Sequence, residues 1–221
     1  MRPFFLVPLV SVVLIGLAAA ACDDLQSIRG SGVLETEERD IGPFEELRVQ
    51  GGLPVEITVD PAAEPSMTVT IDDNLIDLVE QELDGGVLTV RAADPFRQAG
   101  RASIELTTAG LQAVSGSGGS DVIVSGIDAE KFSAAASGGA EIEASGRAER
   151  LEAEASGGGE LHFGDLTATE AHAVASGGGE VTLSVSRTIV ARASGGGDIE
   201  IFGDPAERDV ETSGGGEIQF P

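Results

Sequence analysis

The chain has 221 residues with a formal net charge of −25, 31 glycines, one cysteine, and no tryptophan or tyrosine. A chain this acidic does not bind nucleic acid or an anionic membrane face through electrostatics, so cations, basic surfaces or solubility remain as roles for the charge. Its length and its 4% aromatic content indicate one or two domains whose core is built from small side chains.

The beginning of the chain has the pattern of an export signal. Arg2 precedes an apolar run over residues 4–17, which is followed by four alanines and Cys22. The run is too short for a mature transmembrane helix, so residues 1–21 are predicted to be a signal peptide. A single cysteine at this place resembles a bacterial lipobox, and we expect Cys22 to carry a membrane-anchoring lipid. The alternative is an ordinary signal peptide followed by a free thiol.

Residues 22–31 are predicted to form a short polar tether, and β-rich sequence begins after it. Alternating residues broken by glycine, proline and aspartate predict six strands, at residues 33–39, 44–49, 55–59, 67–71, 87–91 and 103–107. Asp72 or Asp73 is expected to cap one short helix, which ends before Gly85 and Gly86. We therefore interpret residues 32–110 as a β-rich N-terminal portion that caps the elements after it.

A five-residue block of serine, two glycines, a small residue and an acid recurs six times in the second half of the chain. Successive blocks are 20, 19, 20, 18 and 19 residues apart, counted between Ser117, Ser137, Ser156, Ser176, Ser194 and Ser213. A fixed period of this length with glycine at the corners is typical of a solenoid, in which each unit buries its apolar face against the next. The sequence predicts an all-β fold, a right-handed parallel β-helix over residues 111–221 with about 19 residues per rung.

Two short strands are predicted in each repeat, because apolar and polar residues alternate on both sides of the block. Large side chains such as Leu161 and Phe163 point inward after the acid, and alanines such as Ala153 and Ala155 point inward before the serine. The turns that join the two strands are expected near Gly126, Gly146, Gly164 and Pro205. Alanine facing leucine, isoleucine and phenylalanine would fill a narrow interior and leave no room for a ligand inside.

The order of these features resembles one known family. A lipoprotein signal precedes Gly42, Pro43 and Phe44, the segment 71–76, and Ser-Gly-Gly repeats that continue to the C-terminus. Residues 30–221 are similar in this order to the head GIN domain family, a domain of unknown function described as putative auto-transporter adhesins. The resemblance implies one continuous domain over residues 32–221, similar in fold to pectin-lyase-like proteins but without their catalytic residues. It implies cell adhesion as the role and carries over no residue of proven function.

The acids that close the six blocks are the sharpest candidate for a binding site. Stacked at strand spacing, their carboxylates would repel one another, and Ca²⁺ could relieve the repulsion because it accepts oxygen ligands in flexible geometry. The competing interpretation is that each carboxylate faces water or accepts a hydrogen bond from a glycine N–H group. The candidate residues are Asp121, Glu141, Glu160, Glu180, Asp198 and Glu217.

His162 and His172 are expected at outward positions on different faces of the coil, where they would not bind one metal together. Each is interpreted as a surface histidine. No catalytic residue and no resident cofactor is predicted, and Ca²⁺ is the one ion that the pattern brings into consideration.

The chain is thus predicted to be a non-enzymatic, membrane-anchored protein of the bacterial cell envelope with a role in adhesion or interaction. Its lipid would sit in the outer membrane or on the periplasmic face of the inner membrane. The sequence leaves open which envelope protein or glycan it binds, and its oligomeric state. The first alternative is a Ca²⁺-dependent binding protein that uses the stacked acids. The second is a β-helical carbohydrate-active enzyme.

Overall fold

The computed structural model describes residues 27–221, which are mostly β-strand. The predicted signal peptide and Cys22 lie outside the described residues. The strands are β1 (Ile28–Arg29), β2 (Leu34–Arg39), β3 (Glu46–Gln50), β4 (Pro54–Val59), β5 (Ser66–Asp72), β6 (Val79–Asp84), β7 (Val87–Ala92), β8 (Phe96–Arg97), β9 (Ser103–Thr108), β10 (Ala113–Ser117), β11 (Asp121–Ser137), β12 (Glu141–Ser156), β13 (Glu160–Ser176), β14 (Glu180–Ser194), β15 (Asp198–Phe202), β16 (Glu207–Ser213) and β17 (Glu217–Gln219). Within this part of the chain, no helix has the length and apolar character needed to cross a membrane.

The strands stack into a parallel β-solenoid of about five turns, which confirms the fold predicted from the repeat period. Strands β11–β14 each run along two long sides of the coil and a short third side between them, where residues 127–129 of β11 pair with residues 146–148 of β12. The first sheet contains β9, β4, the first halves of β11–β14, β15 and β17. The second sheet contains β7, β3, β10, the second halves of β11–β14, and β16.

A bend within each long strand replaces the turn that the sequence predicted between two strands. The pairing register shifts between Val124 and Ile127 of β11, yet the ladder to β12 continues on both sides of the shift. Gly126 and Gly146 lie at such bends with φ angles of +83° and +128°. A Cβ on either glycine would overlap the backbone of the neighbouring rung, at Val59 and Ile127 respectively. Glycine therefore allows the strand to bend without losing its partners.

The glycine blocks form the corners between rungs. In the corner that begins at Ser156, the N–H group of Gly159 donates to the carbonyl of Ser156 at 3.0 Å. The two residues between them, Gly157 and Gly158, have φ angles of +62° and +91°. Positive φ at both central positions is what a type I′ turn requires, and glycine adopts it without a Cβ clash. The glycine pair in each block is therefore required by the same type of turn, which forms every corner between rungs.

The solenoid continues into residues that no Ser-Gly-Gly block marks. β3 and β4 pair in parallel with β10 and β11 on one side and with β7 and β9 on the other. β7 and β9 therefore lie beneath β3 and β4, although they come later in the chain. The chain then crosses to the opposite side of β3 and β4, where β10 and β11 begin the next rung. Antiparallel strands β2, β5 and β6 complete this end of the stack. The exposed edge strand β2 has the sequence Leu-Glu-Thr-Glu-Glu-Arg, whose charges protect an edge from further pairing.

The short helix expected after Asp72 and Asp73 is a single 3-10 turn, Ile76–Leu78. The residues that were expected to continue it form β6 instead, antiparallel to β7. Gly85 and Gly86 have φ angles of +56° and +85° and make the two-residue turn of this hairpin. The predicted helix end at this glycine pair is therefore wrong, because two glycines between strands are a hairpin signal.

Apolar side chains fill the interior from three directions. Leu161 and Phe163 on the first sheet and Ala155 on the second are fully buried, as the alternation predicts. A third buried group follows the bends and is not predicted by the alternation, because each bend resets its phase. Its members are Ile127, Ala148, Leu166, Ala168 and Val185.

Candidate functional site

The six block acids stack in direct register on the first sheet. Asp121 pairs with Glu141, Glu141 with Glu160, and the series continues through Glu180 and Asp198 to Glu217. All six point away from the core; Glu141 is partly exposed and the other five are exposed. We call this column the acidic ladder. The type I′ corners produce it, because each corner ends at the same point of the rung and places its acid above the previous one.

A second column of outward residues lies beside the acidic ladder, two positions further along each strand. It adds four carboxylates, since Glu105, Glu56, Glu143 and Glu200 occupy outward positions of β9, β4, β12 and β15. His162 lies in the same column, aligned with Glu143 and Thr182. We call the outward surface of the first sheet the acid face. Among the outward residues of its described strands there is no lysine or arginine, and His162 is the one side chain that can carry positive charge.

Basic side chains on other surfaces pair with acids from neighbouring rungs. Arg147 donates two hydrogen bonds to Asp128, both at 2.8 Å, and Arg192 contacts both Asp209 and Glu211. Hydrogen bonds from these guanidinium groups lower the pKa values of Asp128 and Asp209, and raise those of Arg147 and Arg192. Exposed pairs of this kind stabilise the fold little. These pairs neutralise charge locally on the other surfaces, whereas the outward carboxylates of the acid face have no lysine or arginine among them.

His162 brings two rungs of the acidic ladder together. Its Nε2 lies 3.4 Å from Oε1 of Glu141 on the neighbouring strand and 3.3 Å from Oε2 of Glu160 on its own strand. The imidazole is one-third exposed, and the two carboxylates are about half exposed. His172 lies on the second sheet, aligned with Glu152 and Val190, and takes no part in this group. The alternation alone predicts a surface histidine at 162, whereas the spacing Glu-x-His within one strand also places it beside one acid of the ladder.

The second sheet carries a different feature, a shallow depression of about 350 Å³. Its floor is made of small outward side chains of β10 and β11, and larger residues of β3, β12 and β13 stand around it. The floor residues are Ala113, Ser115, Ser133 and Ala135. Hydrogen bonding to Lys131 and then to Ser133 lowers the pKa of Glu152 at its rim. The rim carboxylate is thus already occupied by an ion pair with Lys131 at 2.9 Å.

Two of the three buried polar residues in the described part of the chain, Asp72 and Thr108, hold the fold together through hydrogen bonds. Asp72 is buried, and its two carboxylate oxygens accept hydrogen bonds from the backbone N–H groups of Gly32, Ala99 and Gly100. These bonds, that from Ala99 first, lower the pKa of Asp72. Thr108 donates to the carbonyl of Phe44. Neither group faces the acid face or the depression.

A narrow parallel β-solenoid with a filled interior and charged outer faces defines a class of repetitive proteins whose outer surfaces are the parts available to ligands. Within that class the sequence identifies the family. A family model described as "Putative auto-transporter adhesin, head GIN domain" matches residues 43–205. The chain belongs to this family, as its motifs suggested. No curated protein matches the sequence significantly.

Solved structures share the fold at low sequence identity. A putative adhesin from Bacteroides fragilis has 18% identity and a TM-score of 0.72, and the alignment covers 88% of this chain and all of that one. A putative adhesin from Parabacteroides merdae has 17% identity and a TM-score of 0.55, with 88% and 99% covered. A putative lipid-binding protein from Parabacteroides distasonis has 21% identity and a TM-score of 0.52, with 89% and 100% covered. These likenesses establish the fold of this chain.

Proposed function

We propose that the protein is a non-enzymatic adhesion module of the cell envelope, anchored through a lipid on Cys22, and that its acid face contacts a positively charged surface of its partner. The family to which the chain belongs supports an adhesion role. The observation that carries the rest is the acid face, where ten outward carboxylates share one sheet without a lysine or arginine among them. Concentrating unneutralised charge on one face costs stability through repulsion, and a basic partner would relieve that cost.

The anchoring part of the proposal rests on the N-terminal sequence, where the lipobox-like segment ends in the single cysteine. The described chain begins a few residues later, and Asn74 and Asp72 hold its first turn to the cap through the carbonyl of Arg29 and the N–H of Gly32. A short tether would therefore keep the solenoid close to the membrane. Mass spectrometry of the N-terminal peptide tests this, with Cys22→Ser as the control. We expect a lipid-modified Cys22 and membrane fractionation that the variant loses; an unmodified thiol would contradict the anchor.

The contact surface is tested by capturing partners from the native envelope with the intact lipidated protein. One variant neutralises three acids on the acid face with Glu180→Gln, Asp198→Asn and Glu200→Gln. The control variant neutralises three exposed acids elsewhere with Glu82→Gln, Glu149→Gln and Asp165→Asn, so that the net charge changes equally. We expect the acid-face variant and an increase in salt from about 0.05 M to about 0.5 M to weaken capture, because salt screens exposed charges. Equal capture by both variants would reject the acid face as the contact surface.

The second candidate function is Ca²⁺-dependent binding, and the in-register stacking of the acidic ladder favours it. Six carboxylates at strand spacing offer the oxygen ligands that Ca²⁺ prefers. Titration with Ca²⁺ in a calorimeter, together with the melting temperature in Ca²⁺ and in an equal ionic strength of NaCl, tests this candidate. A specific heat of binding and a rise in melting temperature that Glu180→Gln and Asp198→Asn abolish would support it. Heat and melting temperature equal to those in NaCl would remove it.

A carbohydrate-active enzyme is the remaining alternative from the sequence. Long loops and a groove with basic residues would be needed for acidic polysaccharides, whereas the acid face repels them. Incubation with a panel of polyuronides and other envelope glycans, followed by analysis for new reducing or unsaturated ends, checks the non-enzymatic proposal. We expect no cleavage.

A further inference from the structure

We propose that Glu141, Glu160 and His162 form a binding site for a divalent transition-metal ion, with Zn²⁺ as the best fit. This site shares Glu141 and Glu160 with the Ca²⁺ candidate but differs in its ion, because Ca²⁺ takes oxygen ligands and an imidazole nitrogen suits Zn²⁺. It does not depend on the proposed adhesion function. The site brings together ligands from two rungs, since Glu141 belongs to β12 and the other two residues to β13.

Two of the three distances between the ligand atoms match a tetrahedral zinc site. Bonds of 2.0–2.1 Å from Zn²⁺ to nitrogen and oxygen place any two ligand atoms of a tetrahedron about 3.3–3.4 Å apart. The Nε2 of His162 lies 3.4 Å from Oε1 of Glu141 and 3.3 Å from Oε2 of Glu160. All three ligand atoms lie within 4.8 Å of one another. At 3.3 Å, Nε2 of His162 and Oε2 of Glu160 are also within reach of a long hydrogen bond, which a bound ion would replace.

The backbone holds these ligands in place. Glu141 and Glu160 are directly aligned in the parallel ladder, and Glu160 and His162 share one face of β13 because they are two residues apart. Glu143 is aligned with His162 and adds negative charge beside the site. Leu161 and Phe163, on either side of His162, are fully buried and anchor this stretch of strand in the core. Ligands on such a strand are positioned before the ion arrives, which favours binding.

Three protein ligands leave a fourth tetrahedral position, and the site faces solvent with a half-exposed carboxylate on each side. This arrangement resembles zinc sites with one open position rather than closed structural sites. Water would take the open position in the isolated protein. A carboxylate or imidazole of a partner molecule could replace that water, so the ion would add one neutralising and directional contact to an otherwise acidic surface.

The test uses the full chain carrying Cys22→Ser, purified in detergent, so that the thiol cannot bind metal. Zn²⁺ is titrated by calorimetry, and Co²⁺ is added separately because its visible absorption reports tetrahedral coordination. The chain contains two histidines, which supplies a matched pair of variants, His162→Gln and His172→Gln. A second pair compares Glu160→Gln with Glu180→Gln, neighbouring acids of the ladder of which one is a proposed ligand.

We expect one Zn²⁺ per chain, a tetrahedral Co²⁺ spectrum, and a melting temperature raised by Zn²⁺ as mass action requires. His162→Gln and Glu160→Gln should each weaken Zn²⁺ binding about tenfold or more and remove the Co²⁺ spectrum. His172→Gln should leave the affinity within about twofold, and Glu180→Gln should weaken it less than Glu160→Gln does. The proposal is overturned if Zn²⁺ gives no heat, or if His162→Gln binds it as tightly as His172→Gln. Circular dichroism and melting of the metal-free variants check that each substitution leaves the fold intact.

Discussion

The ring of Phe132 meets that of Phe163 edge to face, with centroids 6.4 Å apart and planes at 63°. Phe132 comes from the second sheet and Phe163 from the first, so their contact joins the two sides of the coil. Both side chains are fully buried in a core whose other inward positions are largely alanine, valine, leucine and isoleucine. Edge-to-face pairs add to the stabilisation from burial alone. The pair brings together two of the three largest fully buried side chains, the third being Phe44.

Phe163→Ala should therefore lower the free energy of unfolding by about 3–5 kcal/mol, because it removes the contact and leaves a cavity. Phe163→Leu should lower it by about 1–2 kcal/mol, since most of the volume is kept. Ile123→Ala is the control, because the Ile123 side chain is 40% exposed on the acid face. It should change the free energy of unfolding by about 1 kcal/mol or less. Equilibrium denaturation in urea measures all three. Equal losses for Phe163→Ala and Ile123→Ala would contradict the filled core.

Gly159 and Gly164 lie five residues apart, and only Gly159 is required by a close approach of the backbone. Neither has a positive φ, but a Cβ on Gly159 would overlap the carbonyl of Ala136, whereas a Cβ on Gly164 would have no neighbour within 4 Å. Gly159→Ala should lower the free energy of unfolding by about 2 kcal/mol or more through forced backbone displacement. Gly164→Ala should raise it by up to about 1 kcal/mol, because it restricts the unfolded chain. Thermal and urea unfolding of the two variants would show opposite signs; a loss of similar size in both would contradict the close approach.

Ser120 occupies the inward position that is alanine at 140 and glycine in the next four blocks. Its hydroxyl is buried and has no hydrogen-bond partner among the described residues. Ser120→Ala should raise the free energy of unfolding by about 1 kcal/mol, because it removes an unsatisfied polar group and little volume. Ser125→Ala is the control, since the Ser125 hydroxyl donates to the carbonyl of Ile57 at 3.3 Å. Calorimetric melting should move in opposite directions for the two variants. A destabilised Ser120→Ala would indicate a partner for that hydroxyl.

Asp72 should make the stability of the N-terminal cap depend on pH. The pKa of Asp72 in the folded state is lowered, first by the N–H group of Ala99. The contribution of the carboxylate to the free energy of unfolding is therefore present above the unfolded pKa of about 3.9, and it is lost as the pH falls toward the folded pKa. Asp72→Asn should lower the melting temperature by about 5 °C at pH 7. The NH₂ group of the new amide would face backbone N–H groups, and it cannot accept hydrogen bonds from them. The variant should also lose part of the fall in melting temperature between about pH 5 and pH 2 that the unmodified chain undergoes.

Asp77→Asn is the control for this experiment, since Asp77 is an exposed acid nearby in the chain, in the 3-10 turn Ile76–Leu78. We expect it to leave the melting temperature at pH 7 unchanged. Hydrogen exchange at Gly32, Ala99 and Gly100 gives a second measurement, because Asp72→Asn should accelerate exchange at these three N–H groups. Unchanged exchange in Asp72→Asn would mean that its carboxylate does not hold this segment.

The sequence by itself determined the rung. The recurring glycine pair requires a type I′ corner, the alternation separates inward from outward residues, and the constant period puts the block acids one above another. These are local properties of about 19 consecutive residues, so they can be inferred without knowing what lies next to them. The same reasoning failed where the local signal had two meanings, as at Gly85 and Gly86, whose pair suits both a helix end and a hairpin.

Only the tertiary structure decided which residues meet across rungs. The insertion of β7 and β9 beneath β3 and β4, the hold of Asp72 on Gly32 and Ala99, and the approach of His162 to Glu141 all join residues distant in sequence. Such contacts depend on the register between strands, which is set by packing of the whole stack and not by any one repeat. The structure of one rung therefore follows from its local sequence, whereas the cap and the proposed metal site depend on how the rungs align.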